Sequence, residues 1–491
     1  MWIQIRDFFI PSNIVGILYV INFFVGMTII FLERKDPSAT LAWLAVLFGL
    51  PGVGLFLYIF FSQNIARQKI FKFTEDEESI MTNSLAKQNR RIKEGTYEFR
   101  EKAAVQWSDL IELNQNYGRA YYTQNNDIQI FADGNKMFDK MLQDIAEAKE
   151  SIHFMFFILK NDEMGRKIID ALTEKAKEGV DVKLLLDALG SRQINERVVS
   201  QFLLAGGQFA TFFPPRNKFL KVFNSRFNYR NHRKLVVIDN EIGYIGGFNV
   251  AREYVGLKKK FGFWRDTHLR IRGGAAQDMN ARFMLDWRAS SEVPVDITSN
   301  FYEPEYEDDV IGMQIVSSGP DSEHEEIKRA FLKMISGAKK NICIQTPYFV
   351  PDAPIMESLK MASQSGIDVK IMIPCMPDHI FVYWATYSYV GEIIKNGGRV
   401  FIYDAGFLHA KTMTVDGQVA TVGSTNFDNR SFRLNFEANA FIYDENVTRK
   451  LDAIFEKDIE SCHELTWELY EQRSKWIKIK EAVSRLLTAI L

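Results

Sequence analysis

Cysteine is scarce in this chain. Its 491 residues hold three, Cys343, Cys375 and Cys462, far apart. That excludes a disulfide framework and a Cys-rich zinc site, and it fits a reducing compartment. A surplus of one charge sign is missing as well. Lys and Arg number 60 against 62 Asp and Glu, a net charge of −2, so bulk electrostatic capture of nucleic acid is excluded. Ordinary apolar (47%) and charged (25%) fractions exclude disorder as the overall state. Phenylalanine is abundant, at 39 residues. Such a load calls for lipid contact or a large apolar core. The length asks for two or three folding units.

Charge is absent from two early stretches. Ile14 to Leu32 is a 19-residue run without a charged residue, and Leu41 to Phe61 is a 21-residue run without one. Each suffices to cross a hydrocarbon core of about 30 Å as a helix. Between them lies a short polar turn with Glu33, Arg34, Lys35, Asp36 and Pro37. The pair reads as a transmembrane hairpin rather than a cleaved leader, because a second span follows directly. Pro51 and Gly52 interrupt the second span, which membrane helices tolerate. Arg6, Arg67, Lys69 and Lys72 outnumber Arg34 and Lys35. This bias puts the C-terminal part in the cytoplasm.

Beyond a polar, helical connector, the rest is one unit written twice. Ala148-Lys-Glu-Ser-Ile-His153 matches Ala338-Lys-Lys-Asn-Ile-Cys343. Gly179-Val-Asp-Val-Lys183 matches Gly366-Ile-Asp-Val-Lys370, and Ala205-Gly-Gly207 matches Asn396-Gly-Gly398. The order is the same in both halves, so a domain has been duplicated. Helix candidates alternate with β-rich runs (Ser151–Leu159, Val180–Leu186; Asn341–Tyr348, Ile367–Ile373). That alternation predicts an α/β fold, each lobe a mixed sheet flanked by helices. The expected layout is a hairpin over 1–64, a helical connector over 65–124, and lobes over 125–310 and 311–491.

One chemical pattern closes each repeat. His232-Arg-Lys234 is followed by Asp239, then Gly246-Gly247-Phe-Asn249; His409-Ala-Lys411 is followed by Asp416, then Gly423-Ser424-Thr-Asn426. The spacings are identical. Each stretch reads as strand, tight turn, strand, with His and Lys on one face. A Lys ammonium beside an imidazole repels a metal cation and attracts an anion. His, Lys and Asn together suit a phosphate: Lys234 and Lys411 neutralise it, Asn249 and Asn426 donate hydrogen bonds, and His232 and His409 attack phosphorus or move a proton. Asp239 and Asp416 stand at strand ends before turns and read as structural. A lone His-x-Lys would be a solvated strand edge; two matching copies are not chance.

This doubled His-x-Lys-x4-Asp pattern resembles the phospholipase D superfamily. The chain is similar, within it, to the membrane-anchored bacterial cardiolipin synthases. Ser38-Ala-Thr-Leu-Ala-Trp43, Tyr229-Arg-Asn-His-Arg-Lys234, Trp264-Arg-Asp-Thr-His268, Thr346-Pro-Tyr-Phe-Val-Pro-Asp352 and Asn429-Arg-Ser-Phe-Arg-Leu-Asn-Phe-Glu437 carry that likeness. It covers nearly the whole chain. Two departures stand out: Gly247 where the superfamily often has Ser, and Met155 where relatives usually have Glu.

The resemblance implies two phospholipase D-type lobes whose histidines meet at their interface. It assigns His232 as nucleophile and His409 as general acid, then base, although these roles can be exchanged. It also implies Asp266 as the orienting partner of His232 and Glu437 as that of His409. Phosphatidylglycerol and cardiolipin are the implied partners, in a bacterial plasma membrane. No metal, cofactor or nucleic acid is called for, and a homo-oligomer is compatible. Hydrolysis by a plain phospholipase D, transfer to another alcohol, nuclease activity and a non-catalytic scaffold are the competing readings. Two aromatic–basic loops, Phe212–Lys221 and Lys258–Trp264, are candidates for docking on a bilayer. The amphipathic stretch Trp476 to Leu491 suits either lying on the membrane or packing on a lobe, and packing is the expectation.

Overall fold

The computed structural model describes residues 11–30, 37–50, 52–61, 70–71, 73–213, 228–291, 310–322 and 324–488. The chain separates into two compact units, Met1–Ile65 with Pro215–Asn228, and Ala66–Pro214 with Tyr229–Leu491.

In the first unit the expected pair of spans takes a different form. Helix Pro11–Thr28 covers most of the first apolar run, but the second is divided into Pro37–Gly49 and Val53–Phe61. Among the described residues no helix is long and apolar enough to cross a membrane. The division has a local cause. Proline lacks the amide hydrogen that helix continuation needs, and the following Gly52 takes a positive φ of 88°. Gly54 lies so close to Val46 that an added Cβ would sit 2.3 Å from its carbonyl oxygen. Buried Asn22 reaches Leu47, donating from Nδ2 to its carbonyl at 2.5 Å.

The second unit holds both repeats. Its first repeat supplies β1 (Thr123–Asp133), β2 (Ser151–Phe156), β3 (Asp181–Asp187), β4 (Gln208–Phe212), β5 (Arg230–Asn231), β6 (Leu235–Ile238), β7 (Ile242–Gly246) and β8 (Phe263–Gly273). The second supplies β9 (Ile311–Ser318), β10 (Asn341–Gln345), β11 (Phe349–Val350), β12 (Asp368–Pro374), β13 (Arg399–Tyr403), β14 (Gly406–Leu408), β15 (Thr412–Val415), β16 (Val419–Gly423), β17 (Phe427–Asp428), β18 (Asn435–Tyr443) and β19 (Cys462–Glu464). In the first repeat β2, β3 and β4 are parallel, and β6, β7 and β8 continue the sheet antiparallel from β2. The second repeat does the same: β10, β12 and β13 run parallel, and β15, β16 and β18 follow antiparallel. β1 and β9 close the two halves, pairing with β8 and β18 and antiparallel with each other. The two lobes therefore share one hydrogen-bonded sheet.

Helices cover the faces, so the central strands are buried throughout and read as unbroken apolar runs; β6, Leu-Val-Val-Ile, is buried at every residue. Parallel neighbours need crossover helices. Glu163–Lys177 and Ala353–Gln364 provide them, each started by an aspartate side chain, Asp162 and Asp352, that accepts from a first-turn amide. Each crossover ends at a glycine with positive φ, Gly179 at 88° and Gly366 at 87°, the left-handed stop that glycine adopts without strain.

Of the two candidate docking loops, Phe212–Lys221 lies outside the described residues from Pro214 on; Phe212 itself is turned inward against Phe436. In Lys258–Trp264, Phe261 and Trp264 are buried, whereas Phe263 is exposed.

Candidate active site

The His-x-Lys tripeptides stand just ahead of β6 and β15 rather than within the ladder. Each is held there by the opposite repeat. β5 runs parallel to the start of β18, and the His232 amide donates to the Phe436 carbonyl at 2.9 Å. β14 runs parallel to the start of β8, and the His409 amide donates to the Arg265 carbonyl at 2.7 Å. Each histidine is thus placed one residue from the acid on the other repeat's strand.

This exchange reverses the expected pairing of histidines and acids. Nδ1 of His232 lies 2.9 Å from both oxygens of Glu437. Nδ1 of His409 lies 2.6 Å from Oδ2 of Asp266. The pairing implied by the resemblance joins each acid to the histidine of its own repeat. Parallel β5–β18 and β14–β8 pairing carries each acid across instead. An ionised carboxylate only accepts, so it fixes the hydrogen on Nδ1 and leaves Nε2 as the reactive nitrogen.

Both acids are fully buried, and both are further braced. Glu437 accepts from the Ser424 hydroxyl and from Asn435 Nδ2 at 3.2 Å. Asp266 accepts from the Thr267 amide at 2.8 Å. Gly247 occupies the position that Ser424 holds in the second repeat. A Cβ there would lie 1.9 Å from Asp266 Oδ1, so the glycine leaves room for that carboxylate.

The electrostatics are those of a site awaiting an anion. Burial, aided by Lys234 and Lys411 and opposed by Glu437, lowers His232 to about 4. Burial and Lys411, whose Nζ is 3.0 Å from Nδ1, also hold His409 below its ordinary value. Burial pulls Lys234 down to about 7, opposed by Glu437 and aided by Lys411, and pulls Lys411 down to about 8, opposed by Asp266 and Glu437. For Glu437, burial favours the neutral form, but His232 and Lys234 outweigh it and hold the carboxyl low. Asp266 behaves likewise under Lys411 and His409. Lys411 acts on both His232 and Lys234, so the two motifs share one electrostatic field. A bound phosphodiester would raise all four bases toward their charged forms.

The remaining candidates divide. Asp239 accepts from the amides of Lys149, Glu150 and Ser151 at 2.8–2.9 Å, and Asp416 from those of Lys339, Lys340 and Asn341 at 2.7–3.0 Å. Both carry positive φ, 52° and 57°, in hairpin turns closed by Glu241 N to Ile238 O and Gln418 N to Val415 O. They are structural, as their sequence position suggests. The two asparagines differ. Asn249 is engaged in the scaffold, accepting from the Ile158 amide at 3.2 Å and donating to the Tyr254 hydroxyl at 3.0 Å. Buried Asn426 keeps its Oδ1 without a partner among the described residues.

Three supports were missed by sequence reasoning. Arg233, between the catalytic pair, is buried and spans the Glu437 carbonyl at 3.1 Å and Asp286 at 2.9 and 3.0 Å. Asp378 accepts from the Tyr348 hydroxyl and acts on His409 and Lys411. Trp264 packs 5.2 Å from His409, centre to centre. Neither Asp378 nor Tyr348 belongs to the doubled His-x-Lys-x4-Asp pattern, so that pattern could not flag them. Met155 is buried and accepts from Asn231 Nδ2 at 3.3 Å through sulfur.

Comparisons with known proteins place the chain in a family. A family model described as "Cardiolipin synthase, PLD-like domain" matches residues 141–287 and 331–459. A second, "Phospholipase_D-nuclease N-terminal", matches residues 14–63. The chain is 46% identical over 98% of its length to the whole of a protein named cardiolipin synthase in Oceanobacillus iheyensis. It is 47% identical, again over 98%, to the whole of the major cardiolipin synthase ClsA of Bacillus subtilis. Among solved structures, the phosphatidylserine synthase of Haemophilus influenzae shares the fold, with 15% identity and a TM-score of 0.60 over 78% of this chain and 100% of that one.

Proposed function

The chain belongs to the cardiolipin synthases of the phospholipase D-like family, and from that premise we propose that it joins two phosphatidylglycerol molecules through a phosphatidyl-His232 intermediate. Nε2 of His232 attacks the phosphorus of the first lipid. The P–O bond to glycerol breaks, and His409 gives the departing alkoxide its proton. A second phosphatidylglycerol then enters beside His409. His409 takes back a proton from its terminal hydroxyl, and that oxygen displaces His232. One phosphodiester replaces another, giving cardiolipin and glycerol.

The carrying observation is the crossed acid pairing, Glu437 on His232 and Asp266 on His409. It fixes both imidazoles in the tautomer that offers Nε2. The roles are those the family resemblance assigns; burial lowers both imidazoles and so favours the neutral form of each. The nucleophile must be neutral, and burial holds His232 at about 4. An arriving phosphate anion supplies the negative charge that lets the second imidazole be cationic. Lys234, Lys411 and Asn426 receive the non-bridging oxygens as charge builds. Asn249 assists through Tyr254.

The Met1–Ile65 unit is proposed to anchor the enzyme in a bacterial plasma membrane, with the catalytic unit in the cytoplasm. Its support is the large exposure of Phe23, Phe24, Leu41 and Val53 and the charge bias of the flanks. Anchoring keeps the phosphoenzyme at a surface dense in lipid hydroxyls and disfavours water as acceptor. Product analysis tests the reading. Purified protein in vesicles of phosphatidylglycerol should yield cardiolipin and glycerol in equal amounts by mass spectrometry. Phosphatidic acid as the main product would replace it with hydrolysis.

A further inference from the structure

The last described helix, Lys475–Leu487, packs with the wrong side for a helix that merely covers a core. Its inward side is polar: Glu481 and Ser484 are buried, and Glu481 pairs with Arg473 at 2.8 Å. Its apolar side faces out. Trp476 is 65% exposed, Ile479 51%, Val483 49% and Leu486 76%. These positions follow the helical repeat and form one stripe. Lys475 and Lys480 border it along the same repeat.

The helix lies alongside Ile380–Lys395, with both running the same way. Lys480 stands over the Trp384 ring at 5.0 Å, Arg485 over the Tyr389 ring at 4.4 Å, and Arg485 also pairs with Glu392. That register brings Trp476 toward the start of the neighbouring helix. There Ile380 is 64% exposed and Phe381 55%. Two residues earlier is Asp378, which acts on His409 and Lys411. An uncovered apolar surface therefore begins at the active-site rim and continues down the C-terminal helix.

We propose that this surface, the outer side of Lys475–Leu487 with Ile380 and Phe381, docks on an anionic phospholipid bilayer and seats the rim of the active site against it. An outward Trp, Ile, Val and Leu stripe flanked by lysines is what an interfacial helix presents. The lysines complement a phosphatidylglycerol surface. Continuity with the rim gives the contact a purpose: a lipid headgroup travels only a short way to His409. The inference rests on the reading that the substrate is a bilayer lipid, and extends it to how that lipid is met.

The test uses the full chain. Vesicles of equal parts phosphatidylglycerol and phosphatidylcholine, with bromine on the upper acyl carbons, should quench tryptophan fluorescence. The quenched share should shrink in Trp476→Phe, and 1 M salt should weaken it. The second measurement compares activity on those vesicles, without bromine, with activity on dispersed short-chain phosphatidylglycerol. The ratio of the two should fall about tenfold or more in the combined variant Trp476→Ser, Ile479→Ser, Val483→Ser, Leu486→Ser, which matches loss of several buried apolar side chains. Thermal melting checks that this variant folds, and the Trp476→Phe quenching does not depend on it. Quenching indifferent to Trp476, or an unchanged ratio, would overturn the proposal. So would a dimer that sedimentation finds in the parent and not in the combined variant, since the stripe would then cover a second copy. Failure of the parent on short-chain phosphatidylglycerol would instead strike the proposed reaction.

Discussion

Swapping each orienting acid for its amide separates the two halves of the reaction. Glu437→Gln acts on His232, whose Nδ1 has two carboxylate oxygens at 2.9 Å in a fully buried setting. A hydrogen bond to a charged group is worth about 1.5–3 kcal/mol, or roughly 10- to 150-fold in rate. The amide can also donate to Nδ1 and trap the wrong tautomer, a change that costs up to about 10⁴ where it has been measured. Phosphoenzyme formation should therefore slow by about 10²–10⁴. Asp266→Asn acts on His409, which protonates the leaving group. A phosphatidyl ester of p-nitrophenol needs no such proton. In Asp266→Asn it should give a burst of nitrophenol close to one per enzyme, followed by slow turnover, because the second step still needs His409 as base. In Glu437→Gln the same ester should give no burst. The opposite result, a burst in Glu437→Gln and none in Asp266→Asn, would refute the crossed pairing or the assignment of roles.

Other outcomes follow from the same geometry. Asp239→Ala removes one acceptor from three amides and should cost about 3–5 kcal/mol of stability in urea unfolding, while the folded fraction keeps its kcat. Gly247→Ser would push a side chain into Asp266 and should lower kcat at least about tenfold, with Ser424→Gly weaker in effect because Asn435 still braces Glu437. Burial lowers Lys234 to about 7 and Lys411 to about 8 before an anion binds. So kcat/KM should fall as pH rises through that window, and kcat, measured with the anion bound, should fall only at higher pH. Lys234→Met should abolish activity yet raise stability, because folding disfavours the buried ammonium. The folded pKa of this lysine lies below its unfolded value, so its destabilising effect is full below pH 7 and fades toward about 10.4. The gain in Tm should accordingly be largest at acid pH.

Much of the site could be read in the chain because it is written twice. His232, Lys234, His409 and Lys411 announce themselves by identical spacing, and the turns at Asp239 and Asp416 carry their own signature. What escaped is relational. Whether Glu437 serves His409 or His232 depends on the two-residue β5 meeting the start of β18, a long-range pairing that no local pattern encodes. Asn249 and Asn426 look equivalent in sequence, yet Tyr254 engages only the first. The interruption at Pro51-Gly52 was visible and read as one that a membrane helix tolerates, whereas two helices, Pro37–Gly49 and Val53–Phe61, stand there. The C-terminal helix was seen to be amphipathic; which side would turn inward depends on Glu481 finding Arg473, a contact outside the periodic pattern.

The phosphohistidine itself is the most direct test. The enzyme should be mixed with phosphatidylglycerol, quenched without acid, digested and mapped by mass spectrometry. The phosphatidyl group should be found on His232, and His232→Ala should abolish both it and cardiolipin formation. A label on His409 instead, or cardiolipin made by His232→Ala, would contradict the account.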